Sequence, residues 1–322
     1  MSYYTQTVVL IIVFAAMANN AWVQVSASLE DGNWIRMANV AWIPCIVIFM
    51  LFSVHFAITQ LVCSFGPVAH MQTNSKFYSA IAPPRPLHYP MVTIQMPVYK
   101  EGLEATIMPS IVSLEAAMTH YKKAGGVSRI YINDDGLQLL SDKERSDRVR
   151  AYNAHGIGYV ARPGHDKLAR KGLFKKASNM NYALDVTFKV ERIMAEQGIT
   201  DVELALDMVK TSMDGEFIAG GDVRIGEIIL LVDSDTRVPE DCLTKIVGEF
   251  ALAPQLGFLQ CRTTPLRDQD NYWEDMIAHF TANIYDVGIA LSVSAGDPAP
   301  LVGHNAFLRW DAIKAGSWVD SG

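Results

Sequence analysis

The stretch Glu227-Ile-Ile-Leu-Leu-Val-Asp-Ser-Asp-Thr-Arg-Val-Pro239 constrains this chain more than any other. Ile228 to Val232 is an unbroken apolar run rich in β-branched residues. A strand with one wet face alternates apolar with polar. An unbroken run reads as a strand covered on both faces, as in a parallel sheet. Asp233 and Asp235 follow at its carboxyl end, outside which open α/β sheets bind ligands. In extended backbone, residues two apart point the same way. Two carboxylates so placed suit a divalent cation that already carries a diphosphate. Magnesium takes one or two carboxylates and fills its other positions with phosphate oxygens and water. An acidic turn closing a strand shows the same residues, so the neighbouring segments decide between the two.

Those segments alternate between strand and helix. Met91–Met96 reads as a first strand, followed by the loop Pro97-Val-Tyr-Lys-Glu101 and by apolar residues at helical spacing from Leu103 to Tyr121. Ser128–Asn133 is a second strand, ending in Asp134-Asp135-Gly136. Ser141–Asn153 is a charged helix. Ile157–Ala161 is a third strand, broken by Arg162-Pro-Gly164. Lys175–Leu184 opens another helix. Glu191–Arg224 reads as a mixed polar insertion, partly helical and partly mobile. The alternation predicts an α/β domain with a mostly parallel sheet.

Ahead of this domain lie two apolar stretches, Thr7–Val25 and Ala38–Phe65. About 20 apolar residues span a bilayer as a helix, so both are expected to be transmembrane. Met1–Thr7 lacks the positive charges of a signal peptide. The loop between them carries Glu30, Asp31 and Arg36, whereas Lys76, Arg85 and Lys100 follow the second stretch with no acidic residue before Glu101. Positive charge stays inside, which places the large domain in the cytosol, at the plasma membrane or the Golgi or ER. The expected organisation is a membrane region over 1–66, a proline-rich linker over 67–88 and the α/β domain over 89–322. A hydrophobic content of 50% and a mean hydropathy of +0.14 fit a soluble domain joined to a membrane part. The net charge of -7 argues against a nucleic-acid partner, which calls for a basic face. Cys45, Cys63, Cys242 and Cys261 show neither metal-ligand spacing nor a disulfide framework, and read as free thiols.

Three further segments suit a nucleotide sugar. Tyr99 can stack on a base, and Glu101 can accept hydrogen bonds from base or ribose. A carboxylate of Asp134-Asp135-Gly136 can take a base N–H or a ribose hydroxyl, with glycine allowing close approach. In Arg170-Lys-Gly-Leu-Phe-Lys-Lys-Ala-Ser-Asn-Met-Asn181, bases stand at the start of a helix. There the dipole favours anions, so the arrangement makes sense if a phosphate is held between side chains and helix amides. Asn179 and Asn181 can hold a loop or cap the helix.

Pro-Val-Tyr-Lys-Glu, Asp-Asp-Gly, Lys-Lys-Ala-Ser-Asn-Met-Asn and Asp-Ser-Asp, in this order after apolar helices, resemble the family 2 glycosyltransferases. Within that family the chain is most similar to the membrane polysaccharide synthases: the cellulose, chitin, hyaluronan and related fungal-looking enzymes. The likeness runs from about Val92 to Trp310. It implies a GT-A fold, a Mg2+ or Mn2+ ion, and inverting transfer from a nucleotide sugar, usually a UDP-sugar, to a glycan or polysaccharide acceptor beside membrane lipid. By the same likeness, Pro97, Tyr99 and Glu101 line the nucleotide pocket, and Asp135 meets uracil or ribose with Asp134 nearby. Lys176 and Asn179 belong to the phosphate-contacting segment, in which Ser178 replaces the family's glycine. Asp233 contacts nucleotide or metal, and Asp235 holds the metal. Gln260 points into the site, and Gly303 and Asn305 belong to the loop that bounds the sugar and acceptor region.

The family's later Glu-Asp motif, whose aspartate is the general base, and its Gln-x-x-Arg-Trp motif are expected beyond Gly322. Glu274-Asp275 precedes Gly303 and reads as a helix face. The chain therefore reads as the N-terminal part of a synthase, binding nucleotide sugar weakly and transferring poorly. Two alternatives are a membrane-anchored nucleotide-sugar binder without catalysis and a dolichol-phosphate sugar synthase. A dinucleotide-dependent oxidoreductase lacks its Gly-x-Gly-x-x-Gly after the first strand.

Overall fold

The computed structural model describes residues 3–42, 45, 51–164, 175–213, 217–267 and 269–316. The chain divides into two compact units: Met1–Ile81 with Arg262–Pro300, and Ala82–Cys261 with Leu301–Gly322.

The first unit is helical over Tyr3–Asp31, Leu51–Phe65 and Tyr272–Ser294, the last containing a π-helical stretch at Ile284–Ile289. Part of the apolar stretch Ala38–Phe65 (43, 44 and 46–50) lies outside the described residues. Among the described residues, Tyr272–Ser294 is the one helix long and apolar enough to cross a membrane. Buried polar groups on these apolar helices meet one another. Gln60 Nε2 donates to Asn283 Oδ1 at 2.9 Å, and Asn283 Nδ2 lies 3.0 Å from His279 Nε2.

The second unit is built on a sheet of seven strands: β1 Val92–Val98, β2 Ser128–Asp134, β3 Gly158–Ala161, β4 Ile218–Gly220, β5 Ile228–Leu231, β6 Phe258–Gln260 and β7 Ala306–Arg309. The order is β4-β3-β2-β1-β5-β7-β6. β3, β2, β1 and β5 run parallel, while β4 and β7 are antiparallel to their neighbours. The sheet is mixed and mostly parallel, as the alternation predicts. β1 runs on through Pro97, which pairs with Asn133 in register.

The unbroken apolar run of β5 has its predicted cause. Ile228, Leu230 and Val232 join Val92, Ile94 and Met96 under the helix Met108–Lys123, through Ile111, Leu114 and Tyr121. Ile229 and Leu231 face the other layer, where Ala183, Val186 and Val190 of the helix Lys175–Gln197 cover the sheet. The insertion Glu191–Arg224 is partly helical, as expected. The helix from Lys175 continues to Gln197. Asp201 then caps Val202–Ser212, accepting from Glu203 and Leu204 N–H groups at 2.9 and 3.3 Å. Ala205, Leu206 and Val209 bury its apolar stripe, and β4 closes the sheet edge. The helix Asp142–Ala154 has almost no apolar face; a Ser141/Glu144 capping box starts it, and its buried residues are Arg148 and Tyr152. All four cysteines are free thiols. Burial pushes Cys242 and Cys261 up to about 12, so both stay protonated near neutrality.

Two features of this unit have measurable consequences. Gly136 has ordinary right-handed backbone (φ -90), yet a Cβ there would sit 1.4 Å from the Tyr99 carbonyl oxygen. Space alone demands glycine, so Gly136→Ala should destabilise the domain by about 2–4 kcal/mol. An unchanged urea midpoint would mean that the two loops do not touch. At the sheet edge, burial pushes the Asp222 carboxyl up, but hydrogen bonds from Arg224 and the charge of Arg129 more than offset it, and it ends below its ordinary value. The stability this adds is complete above the unfolded pKa, near 4, and is lost as pH falls through the lower folded value. Asp222→Asn should cost about 1–3 kcal/mol at neutral pH and flatten the acid limb of stability. Urea titrations at about pH 5 and about pH 3 measure that slope.

Candidate functional site

The parallel strands β1, β2, β3 and β5 end together, and each hands its next residues to the same rim. Asp134 closes β2 and is fully buried (0% exposed). Arg148 Nη1 donates to both its oxygens at 3.2 and 3.0 Å, Tyr152 OH donates at 2.7 Å, and Gly136 N–H at 3.1 Å. Burial pushes this carboxyl above its usual range, while the Arg148 charge and the hydrogen bonds pull against it. Tyr152 is held well above its ordinary value by burial and by the neighbouring Asp134 charge. Arg148 also donates to the Glu101 carbonyl. Asp134 thus anchors helix, strand and loop, and its oxygens face protein donors where the likeness has them near a nucleotide.

Asp135 points to the layer of β3. Arg162, the residue at which β3 breaks, donates from Nε and Nη2 to its two oxygens at 2.8 and 2.9 Å. The two side chains are 3% and 2% exposed. This forked pair is what sequence reasoning missed in Arg162-Pro-Gly164, read there only as a strand breaker. The loop after β1 folds on itself: Glu101 Oε2 accepts from the Tyr99 N–H at 2.7 Å, so the Glu101 carboxylate is used to shape the loop. Lys100 Nζ lies 5.4 Å from the Tyr99 ring centroid.

The loop after β5 is strapped to the helix Met108–Lys123 by two serines one turn apart. Ser110 Oγ donates to the Ser234 carbonyl at 2.6 Å, and Ser113 Oγ accepts from the Val238 N–H at 2.9 Å. Asp233 and Asp235 are therefore carried on a fixed turn, in which the Thr236 N–H donates to the Asp233 carbonyl at 3.1 Å, and not on the extended backbone expected from the sequence. Asp233 is in contact with Lys176 Nζ through Oδ1. Its Oδ2 lies 4.0 Å from His304 Nδ1. Asp235 is exposed and has no hydrogen-bond or ion-pair partner among the described residues. Lys176 comes from the first turn of the helix Lys175–Gln197; residues 165–174, including Arg170–Phe174 of the basic segment, lie outside the described residues.

Asn179 does not reach the rim. It is buried, and its Nδ2 donates to the Asn133 carbonyl at 2.7 Å, fastening the helix to β2. Its Oδ1 and both side-chain amide atoms of Asn133 are buried without a protein partner among the described residues. Gln260 likewise spends its amide on the protein. Nε2 donates to the His304 carbonyl at 2.8 Å, and Oε1 accepts from Val302 N–H at 2.9 Å. It holds the Gly303-His304-Asn305 loop, in which Gly303 (φ 91) and Asn305 (φ 50) are left-handed, a region asparagine enters more readily than most residues. The Cys261 N–H donates to the Asn305 carbonyl at 2.9 Å. Pro97 lies within β1, inward of the rim. The structure thus brings Lys176 and His304 to Asp233, with Asp235 two residues further along the same loop.

Among the described residues, no group of three or more His, Cys, Asp or Glu could hold a metal by itself. The available donor set is Asp235 with the second oxygen of Asp233. Such a set fits a hard divalent cation that brings phosphate oxygens and water as its remaining ligands.

No curated protein matches the chain. Among solved structures, it is similar to the mannosyltransferase PcManGT from Pyrobaculum calidifontis, solved in complex with GDP-Man and Mn2+. The identity is 16%, the TM-score 0.43, and the match covers 85% of this chain. The chain spans 59% of the length of that protein. Residues 228–322 match the family described as "Glycosyl transferase family group 2", a segment that begins at β5 and contains Asp233, Asp235, Gln260 and the Gly303–Asn305 loop.

Proposed function

We propose that this chain takes part in inverting transfer of a glycosyl group from a nucleotide sugar, a UDP-sugar, to a glycan or polysaccharide acceptor. The observation that carries this reading is Asp233 and Asp235 on a strapped turn, with Lys176 in contact, at the shared carboxyl ends of four parallel strands. The family match over residues 228–322 supports the same reading. In such a transfer the acceptor hydroxyl attacks the anomeric carbon in line, and the bond to the diphosphate breaks. Negative charge gathers on the departing diphosphate. A Mg2+ or Mn2+ ion held at Asp235 and Asp233 would neutralise part of that charge. Lys176 reaches the same region and supplies a further positive charge. Tyr99, in the loop shaped by Glu101, would stack on the base. Arg162 fixes Asp135, so that the loop after β2 meets the nucleoside as a rigid edge. No general base is assigned among these residues.

The reading extends to the membrane. The helices Tyr3–Asp31 and Leu51–Phe65 present Ile11, Ile12, Trp22, Ile58 and Phe65 outward, apolar surface suited to lipid. The charges flanking these helices favour a cytosolic position for the sheet-bearing unit.

Asp235→Ala tests the core of the proposal. In the wild-type chain, Mn2+ should tighten UDP binding by about tenfold or more. In the variant, calorimetric UDP affinity should no longer respond to Mn2+. An unchanged metal response would remove Asp235 from the site.

A further inference from the structure

We propose that Lys176 is an internal substitute for the metal ion: it pairs with Asp233 and passes to phosphate when metal and nucleotide arrive together. This rests on the nucleotide-sugar reading given above and adds how the site is regulated. Lys176 Nζ contacts Asp233 Oδ1, and His304 Nδ1 stands 4.0 Å from Oδ2. Each oxygen of Asp233 therefore has a nitrogen neighbour, whereas Asp235 has none among the described residues. A dication approaching both carboxylates meets the ammonium charge first. Bare metal is thus held by Asp235 with little help from Asp233, and the site discriminates against a cation that brings no phosphate.

The pair can open. The Lys176 and Asp233 side chains are 44% and 37% exposed, so solvent screens their attraction, and exposed ion pairs contribute little. A diphosphate offers the lysine a denser negative charge than one carboxylate does. With the ammonium moved, the Asp233 carboxylate would be available to help hold the metal. Metal and diphosphate then favour each other through the lysine, a coupling that neither would show alone.

This makes a prediction of opposite signs. Lys176→Met should bind Mn2+ without nucleotide about three- to tenfold more tightly than the wild-type chain, because a like charge is gone. It should bind UDP in the presence of Mn2+ about tenfold more weakly. Lys176→Arg, which keeps the charge, should leave Mn2+ affinity at the wild-type level. The experiment is Mn2+ titration of the full chain followed by electron paramagnetic resonance of free Mn2+, with UDP calorimetry on the same samples. A lysine that only binds phosphate would weaken UDP binding and leave Mn2+ affinity unchanged, which overturns the proposal. So does weaker Mn2+ binding by Lys176→Met, or no Mn2+ binding by either protein at millimolar metal. If the wild-type chain binds Mn2+ but never UDP, the nucleotide-sugar reading fails, while the Mn2+ comparison still decides the role of the lysine.

Discussion

The rim of this site depends on Arg148 inside the domain. Its guanidinium holds the Asp134 carboxylate at the end of β2 and the Glu101 carbonyl after β1, and its own helix follows the Asp134 loop. The pair is 4% and 0% exposed. Taking two charges out of water costs several kcal/mol per ion, and attraction between them repays this only when every hydrogen bond is made. Here Tyr152 and the Gly136 N–H complete the set around Asp134. We read the arrangement as a specifier of geometry more than a source of net stability. An apolar substitute could fill the space, but it could not fix two loops against one another. Removing either partner alone would strand a buried charge, at about 3–5 kcal/mol.

Beyond that anchor, the carboxylates form a gradient. Asp134 is sealed and pinned. Asp135 is buried and held by the forked Arg162 guanidinium. Asp233 is partly exposed and carries a lysine. Asp235 is open. A carboxylate must be hydrated, or loosely paired, to exchange partners on ligand binding. One whose desolvation has already been offset by fixed donors does not exchange cheaply. The order from inside to outside therefore separates scaffold from site. Four aspartates, in two closely spaced pairs, can thus do different work, and burial with partners distinguishes them where residue type does not.

Much of this was legible in the sequence, and what was not shares a cause. The unbroken run Ile228–Val232 announced a strand covered on both faces, because that pattern follows from local chain geometry. The sheet, its mostly parallel order and the helix opening at Lys175 were legible for the same reason. Arg162, Arg148, Ser110, Ser113 and His304 were not. Each matters through a partner distant in sequence, and none stands in a spacing that names that partner. Asn179 and Gln260 were legible as polar residues near the right place. Whether they face ligand or protein depends on which backbone carbonyl lies within reach, and no pattern encodes that. The insertion Glu191–Arg224 was legible as partly helical, but the bounds of Val202–Ser212 were not, because that short helix relies on a cap at Asp201 and a narrow stripe of Ala205, Leu206 and Val209. Residues Arg262–Pro300 lie between β6 and β7 in sequence yet pack with the N-terminal helices. Chain order gave no sign of it.

The basic start of the helix Lys175–Gln197 now has a fuller account. A helix N-terminus favours negative charge, so a lysine in its first turn is disfavoured by the dipole. From sequence alone, that misfit suggested an absent phosphate. The structure pairs Lys176 with an anion of the chain's own, the Asp233 carboxylate. The two explanations are linked. A lysine that pairs with a carboxylate can pair with a phosphate instead, and the two anions compete for it. A carboxylate held only by that competition is free to serve a metal as soon as phosphate wins. The residue that looked misplaced in the helix is then the one that ties the phosphate position to the metal position.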